Sequence, residues 1–164
     1  MSDEVMKLIK DKEVQYVDLR FTDLRGKMQH VTFDVGMITP DVFDEGLMFD
    51  GSSIAGWKAI NESDMVMRPD SAGAHIDPFY QQTTLALFCD ILEPGTLQPY
   101  ARDPRSIAKK AEAYVKSSGA GDVAYFGPEA EFFVFDDVRW STDAWNTGYS
   151  FDSTELPANS SKPY

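Results

Sequence analysis

Val14-Gln15-Tyr16-Val17-Asp18-Leu19-Arg20-Phe21, followed by Thr22-Asp23-Leu24-Arg25-Gly26-Lys27 and then His30-Val31-Thr32-Phe33, decides the fold. The first run is rich in β-branched and aromatic residues and reads as a strand. The middle supplies turn residues, and the last run reads as the returning strand of a hairpin. Ahead of it, residues 3–11 form an amphipathic helix, with Val5, Leu8 and Ile9 on one side, acids in the first turn and lysines later. After it, Thr39 suits an N-cap, Pro40 the first helical position and Gly46 the exit of a short helix. Short strands are expected at Leu47–Phe49, Asp64–Arg68 and Thr83–Asp90. A hairpin, short helices and further short strands describe a small α+β domain.

Glu93-Pro94-Gly95-Thr96-Leu97-Gln98-Pro99-Tyr100 interrupts all periodicity and is the expected boundary, dividing the chain into residues 1–100 and 101–164. Beyond it a helix begins with Asp103 as N-cap and Pro104 at N1. It exits at Gly119, and its apolar stripe is Ile107, Ala111, Tyr114 and Val115. A strand is expected at Val123–Phe126 and another over Gly127–Asp136. From about residue 141 the chain turns polar, including Ala158-Asn159-Ser160-Ser161, and is expected to be loop or disordered. One helix and two strands do not close a second domain, so the second part is expected to be the incomplete start of one.

Two segments carry candidate chemistry. In Gly127-Pro128-Glu129-Ala130-Glu131-Phe132-Phe133-Val134-Phe135-Asp136, strand alternation puts Glu129, Glu131, Phe133 and Phe135 on one face, the two carboxylates roughly 6.6 Å apart. Like charges on so apolar a strand call for a compensating positive charge, which a pair of divalent cations would supply. An edge strand whose Glu pair faces water is the other reading of the same residues. In Phe49-Asp50-Gly51-Ser52-Ser53-Ile54-Ala55-Gly56-Trp57 an acid ends a strand and two serines follow that could bind a small polar ligand. A plain Asp-Gly turn with local serine capping accounts for that spacing better.

Composition excludes several classes. The chain has 164 residues, is 43% hydrophobic and carries a net charge of −12, with a sequence pI near 4.4. No surplus of basic residues exists to bind nucleic acid. No apolar stretch reaches membrane length and the N-terminus has no basic or apolar leader region, so a cytoplasmic location without membrane association is expected. The single cysteine, Cys89, lies in an apolar run and reads as a buried structural thiol. His30 and His75 have no metal-ligand neighbours at close spacing and read as structural. The Gly-rich phosphate loops and the Gly-x-Ser-x-Gly elbow are absent from the sequence.

Taken in order, Val17–Asp23, Phe49–Ile54, Asn61–Met65, Cys89–Thr96, Ala101–Arg105 and Gly127–Phe133 resemble the N-terminal third of the bacterial-type glutamine synthetase family. The resemblance covers residues 15 to about 140. It implies a β-grasp domain followed by the start of the family's catalytic α/β domain. It implies an ATP-dependent ligase that joins L-glutamate and ammonia into L-glutamine through a γ-glutamyl phosphate, in nitrogen assimilation. By resemblance Glu129 and Glu131 are ligands, one for each of two Mg²⁺ or Mn²⁺ ions. Asp50 binds and deprotonates ammonium in a neighbouring subunit's site, with Ser53 nearby and Trp57 and Asp64 as walls. The family forms a dodecamer of two stacked rings. Its remaining metal, nucleotide and glutamate contacts correspond to positions beyond Tyr164, so the 164-residue chain is expected to be an N-terminal fragment, inactive alone. The alternatives are a γ-glutamyl polyamine ligase of the same family and a non-catalytic β-grasp interaction module.

Overall fold

The computed structural model describes residues 2–156. Packing divides the chain into two units, residues 1–124 and 125–164. The first holds helix α1 (Ser2–Asp11), strands β1 (Tyr16–Thr22) and β2 (Met28–Asp34), helix α2 (Val42–Glu45), strands β3 (Leu47–Asp50), β4 (Asp64–Pro69), β5 (His75–Ile76) and β6 (Thr84–Leu92), and helix α3 (Pro104–Ser117). The α+β expectation is met, and the strands expected between residues 14 and 90 appear within about two residues of their predicted ends.

The hairpin that opens the sequence pairs Tyr16 with Asp34 through Thr22 with Met28. Its turn is tied by Asp23, whose carboxylate accepts the backbone N–H groups of Arg25 and Lys27 at 2.9 and 3.0 Å. The sheet order is β2-β1-β6-β4-β3, with β5 added to β6. β1 and β6 run parallel, while the other pairs are antiparallel. β6 lies mid-sheet and is buried almost throughout, which is why Leu85-Ala86-Leu87-Phe88-Cys89 reads as a continuous apolar run and not as an alternation. Val17, Leu19 and Phe21 of β1, Met65 and Met67 of β4, and Leu85, Leu87, Cys89 and Ile91 of β6 build the core. Burial of each large side chain contributes about 1.5–3 kcal/mol. Cys89 is buried as expected, and desolvation pushes its thiol pKa up, out of the nucleophilic range.

Asp18 projects from β1 on the side away from Val17 and Leu19, yet is fully buried. It accepts hydrogen bonds from Arg20 Nε, His30 Nδ1 and Thr32 Oγ1, each at 2.7 Å, and Arg20 reaches on to Asp77 at 2.5 Å. His75 Nδ1 bonds the Gly73 carbonyl. Both histidines are therefore held in structural hydrogen bonds, as the sequence implied.

The short helix starts later than its sequence signals indicate, with Asp41 and not Thr39 as its N-cap. Its exit at Gly46 is as expected, at φ 77°. A Cβ there would lie 2.4 Å from Val66 Cγ1 and 2.7 Å from the Met67 carbonyl oxygen. Both strain and clash oppose a side chain, so Gly46→Ala is expected to destabilise the protein by about 2 kcal/mol or more. A fall in the urea midpoint at unchanged slope would report it.

Helix α3 begins as the sequence predicts. The Asp103 carboxylate caps Arg105 N and Ser106 N and also accepts the Ser106 hydroxyl at 2.7 Å. Asp103 is wholly buried and accepts as well from Ile91 N at 3.4 Å, which joins the helix start to β6. Further along, Arg105 Nε and Lys109 Nζ grip Asp90 of β6 at 2.8 and 2.6 Å, and Arg105 also pairs with Asp70. The stripe residues Ile107 and Tyr114 are exposed, so charge and capping, more than apolar burial, fasten α3 to the sheet.

Beyond α3 two expectations fail. No strand forms at 123–126 or over 127–135. The reason is physical: a strand needs a ladder partner, and among the described residues none pairs with this segment. The polar stretch after Trp140 is not loop throughout. Strands β7 (Asp137–Thr142) and β8 (Thr147–Asp152) form an antiparallel hairpin. The overlooked signal is alternation: Thr147, Tyr149 and Phe151 share one face of β8, and the Tyr149 and Phe151 rings stack at 5.9 Å. Ala158–Ser161 of the expected tail lie outside the described residues.

Candidate functional site

Strand β3 carries Asp50 at its last position, directly opposite Asp64 of β4. From there the backbone turns into a single 3-10 turn over Gly51–Ser53, and Asp50 caps it. One carboxylate oxygen accepts Ser52 N at 2.8 Å and the Ser52 hydroxyl at 2.6 Å. The other accepts the Ser53 hydroxyl at 3.3 Å. The Ser52 hydroxyl above all, then its backbone N–H, holds the Asp50 carboxyl below the ordinary carboxylate range. Asp50 is exposed, so an ionised carboxylate with fixed orientation faces outward at the strand end. Sequence reasoning placed Asp50 and Ser53 together, and they are together. Both the Asp-Gly turn and the serine capping are also present, so the structural and functional readings of this segment coexist.

The loop is anchored at both ends. Gly51 is buried; its N–H donates to the Ser63 carbonyl at 2.7 Å, and a Cβ on it would stand 2.3 Å from Met65 Sδ. At the other end Trp57 is buried in an aromatic cluster, its ring 5.3 Å from Phe21, 6.4 Å from Phe49 and 5.3 Å from Tyr100. Trp57 is thus a core residue behind the loop. Its carbonyl accepts the Tyr100 hydroxyl at 3.0 Å and an Arg102 N–H at 3.3 Å, and Arg102 also donates to the Gly56 carbonyl. Sequence reasoning missed Tyr100 and Arg102, since nothing in their local pattern shows that they reach back to this loop. Asp64 is exposed beside Asp50, and the two acids make the strand ends locally negative.

Glu129 and Glu131 lie in the unpaired segment of the second unit and are exposed. Neither the buried strand face nor the water-facing edge strand expected for them forms. Phe133 and Phe135 do stack, at 6.0 Å, as residues two apart in an extended segment would. Among the described residues no group of three His, Cys, Asp or Glu side chains is placed to hold a metal ion. Two carboxylates are the right donor type for a hard divalent cation but too few for a site, because Mg²⁺ demands six near-octahedral oxygens.

A scan against protein-family models matches residues 13–94 to the glutamine synthetase β-grasp domain. Residues 101–164 match the glutamine synthetase catalytic domain. The chain belongs to the glutamine synthetase family. Its relatives include the glutamine synthetase of Bradyrhizobium diazoefficiens, 66% identical over 98% of this chain and 34% of that protein. That of Rhizobium meliloti is 60% identical over 99% of this chain and 35% of that protein. Among solved structures, the Plasmodium falciparum glutamine synthetase superposes with a TM-score of 0.69 at 27% identity, over 94% of this chain and 30% of that chain. The chain spans about a third of the length of the curated relatives it matches. The sheet of the first unit is therefore the glutamine synthetase β-grasp domain, and the start of the family's catalytic domain follows it.

Proposed function

We propose that this chain supplies the β-grasp domain and the first part of the catalytic domain of a glutamine synthetase. That enzyme condenses L-glutamate with ammonia at the expense of ATP, through a γ-glutamyl phosphate, in the cytoplasm. The observation that carries the reading is the Asp50 carboxylate, held ionised and facing outward by Ser52 and Ser53 at the end of β3. Ammonium is a small cation that must lose a proton to become a nucleophile. A fixed carboxylate attracts the cation, orients one N–H toward itself and takes that proton. The neighbouring Asp64 strengthens the attraction. Ser53 in this reading keeps the Asp50 oxygens oriented and is not itself the base.

The proposal includes Glu129 and Glu131 as ligands to two divalent ions, supported by the catalytic-domain match that spans them. No step is derived through the metal, since these two donors do not complete a site. It also includes assembly into a ring-shaped homo-oligomer in which the Asp50 loop serves a neighbouring subunit, the dodecamer being the expected form. Domains are proposed to divide near residue 100, between the two family matches.

The test is glutamine formation by the protein expressed from its full reading frame, supplied with ATP, L-glutamate, Mg²⁺ and either ammonium or a diamine. Glutamine from ammonium supports the reading. Amide formation only with the diamine points to the polyamine ligase, and none with either points to a non-catalytic module.

A further inference from the structure

We propose that Tyr100 and Arg102 act as positioning residues for the Asp50 loop, forming a clamp that sets its affinity for ammonium; this rests on the ammonium reading above. The loop from Gly51 to Trp57 has few internal bonds: Ile54 N to the Gly51 carbonyl and Trp57 N to the Ile54 carbonyl. Its fixed points are elsewhere. At the Asp50 end the fixture is Ser63, just ahead of the adjoining strand β4, and Met65 on it, both close in sequence. At the far end it is the pair of carbonyls of Gly56 and Trp57, bound by the Tyr100 hydroxyl and the Arg102 guanidinium.

These two residues come from a different part of the chain. Tyr100 precedes the catalytic-domain match, and Arg102 lies inside it. Tyr100 is itself buried, its backbone N–H bonds the Ile91 carbonyl of β6, and its ring packs against Trp57. Three residues further on, Asp103 is wholly buried and caps α3. The segment that carries the clamp is therefore rigid, tied to β6 at Tyr100 and to α3 at Asp103. One guanidinium nitrogen, Arg102 Nη1, reaches both successive carbonyls in a charge-assisted contact, on a planar group that stays charged. Lysine presents a point charge on a flexible stem and reproduces that geometry in part. Release of the far end leaves the loop held by its Asp50 end alone, and the carboxylate then samples orientations that do not meet the ammonium.

The experiment compares Arg102→Ala, Arg102→Lys, Tyr100→Phe and Asp50→Asn in the protein expressed from its full reading frame. Steady-state kinetics are measured for each substrate, together with deuterium uptake of the 51–57 segment. The expected result for Arg102→Ala is a rise of about tenfold in KM for ammonium, with KM for ATP and glutamate changed less than about twofold. Arg102→Lys recovers part of the loss, and Tyr100→Phe gives a smaller effect in the same direction. Faster exchange in 51–57, with β6 unchanged, accompanies each. Arg102 is exposed, so its replacement leaves the core intact, and the β6 exchange checks that. An equal change in all three KM values, or an unaltered ammonium KM with unaltered exchange, overturns the clamp. If Asp50→Asn also leaves the ammonium KM unchanged, the ammonium reading has failed. If Asp50→Asn raises it while Arg102→Ala does not, the clamp alone has failed.

Discussion

Replacing Asp50 by alanine is expected to lower glutamine formation by about 10²–10⁴-fold in the protein expressed from its full reading frame. The magnitude follows from the task assigned to this side chain. In the proposed role it both attracts ammonium and removes its proton, and among the described residues its side-chain partners Ser52 and Ser53 do neither, being donors to the carboxylate. Asp50→Asn keeps the shape and one acceptor but loses the charge and the basicity, and is expected to be nearly as damaging. Because Asp50 is exposed and its turn also rests on Gly51 and Ser63, neither replacement should alter thermal stability by more than a small amount. Activity loss without a melting shift is therefore the signature. The pH profile carries a sign as well. A carboxyl held below its ordinary range stays ionised throughout neutral pH, so the acidic limb of activity should not be set by Asp50 near its ordinary value of 3.8.

Asp18→Ala is expected to be the most destabilising single change, at about 3–5 kcal/mol. Its carboxylate is buried and receives Arg20, His30 and Thr32, and its loss strands the Arg20 guanidinium with Asp77 as its remaining partner. Urea unfolding followed by circular dichroism measures it. The same group predicts acid sensitivity. Burial pushes the Asp18 pKa up, but the hydrogen bonds from Arg20, His30 and Thr32 outweigh it and hold the net value below 3.8. At Asp90, burial likewise pushes up, and Lys109 and Arg105 outweigh it. A folded-state pKa below the unfolded one means stability that is fully present above the unfolded value and lost as pH falls through the folded one. The protein should thus hold its stability down to about pH 4 and lose it below. Unfolding that begins at pH 5–6 in the wild type but not in Asp18→Ala would contradict this assignment.

Most of the first unit was legible in the sequence because its signals are local. The hairpin from Val14 to Phe33 alternates, its turn is polar, and α3 carries both a capping aspartate and a proline at N1. What the sequence did not show is long-range. Asp18 sits on the side of β1 away from the main core, and β2 and Asp77 close over it through Arg20 and His30, partners that its local sequence does not show. Tyr100 and Arg102 look like linker residues, yet they reach some forty-five positions back to the Asp50 loop. The strand expected around Glu129 is missing for a related reason. Its composition is that of a strand, but strand formation depends on a partner, and no described residue provides one. Where partner and signal coincide, as in the Asp137–Asp152 hairpin, the alternation at Thr147, Tyr149 and Phe151 carried the information, and polar composition concealed it. Asp50 and Ser53 were legible as a pair because three residues of turn bring them together.

In the proposed function Asp50 serves the ammonia step and not phosphate transfer. The direct measurement is a product analysis of Asp50→Asn supplied with ATP, glutamate and ammonium, counting ADP, glutamine and 5-oxoproline, the cyclic product of a γ-glutamyl phosphate that meets no amine. The expected result is that ADP and 5-oxoproline still form while glutamine nearly vanishes. Loss of ADP formation in step with glutamine, or glutamine formed at the wild-type rate, would contradict it.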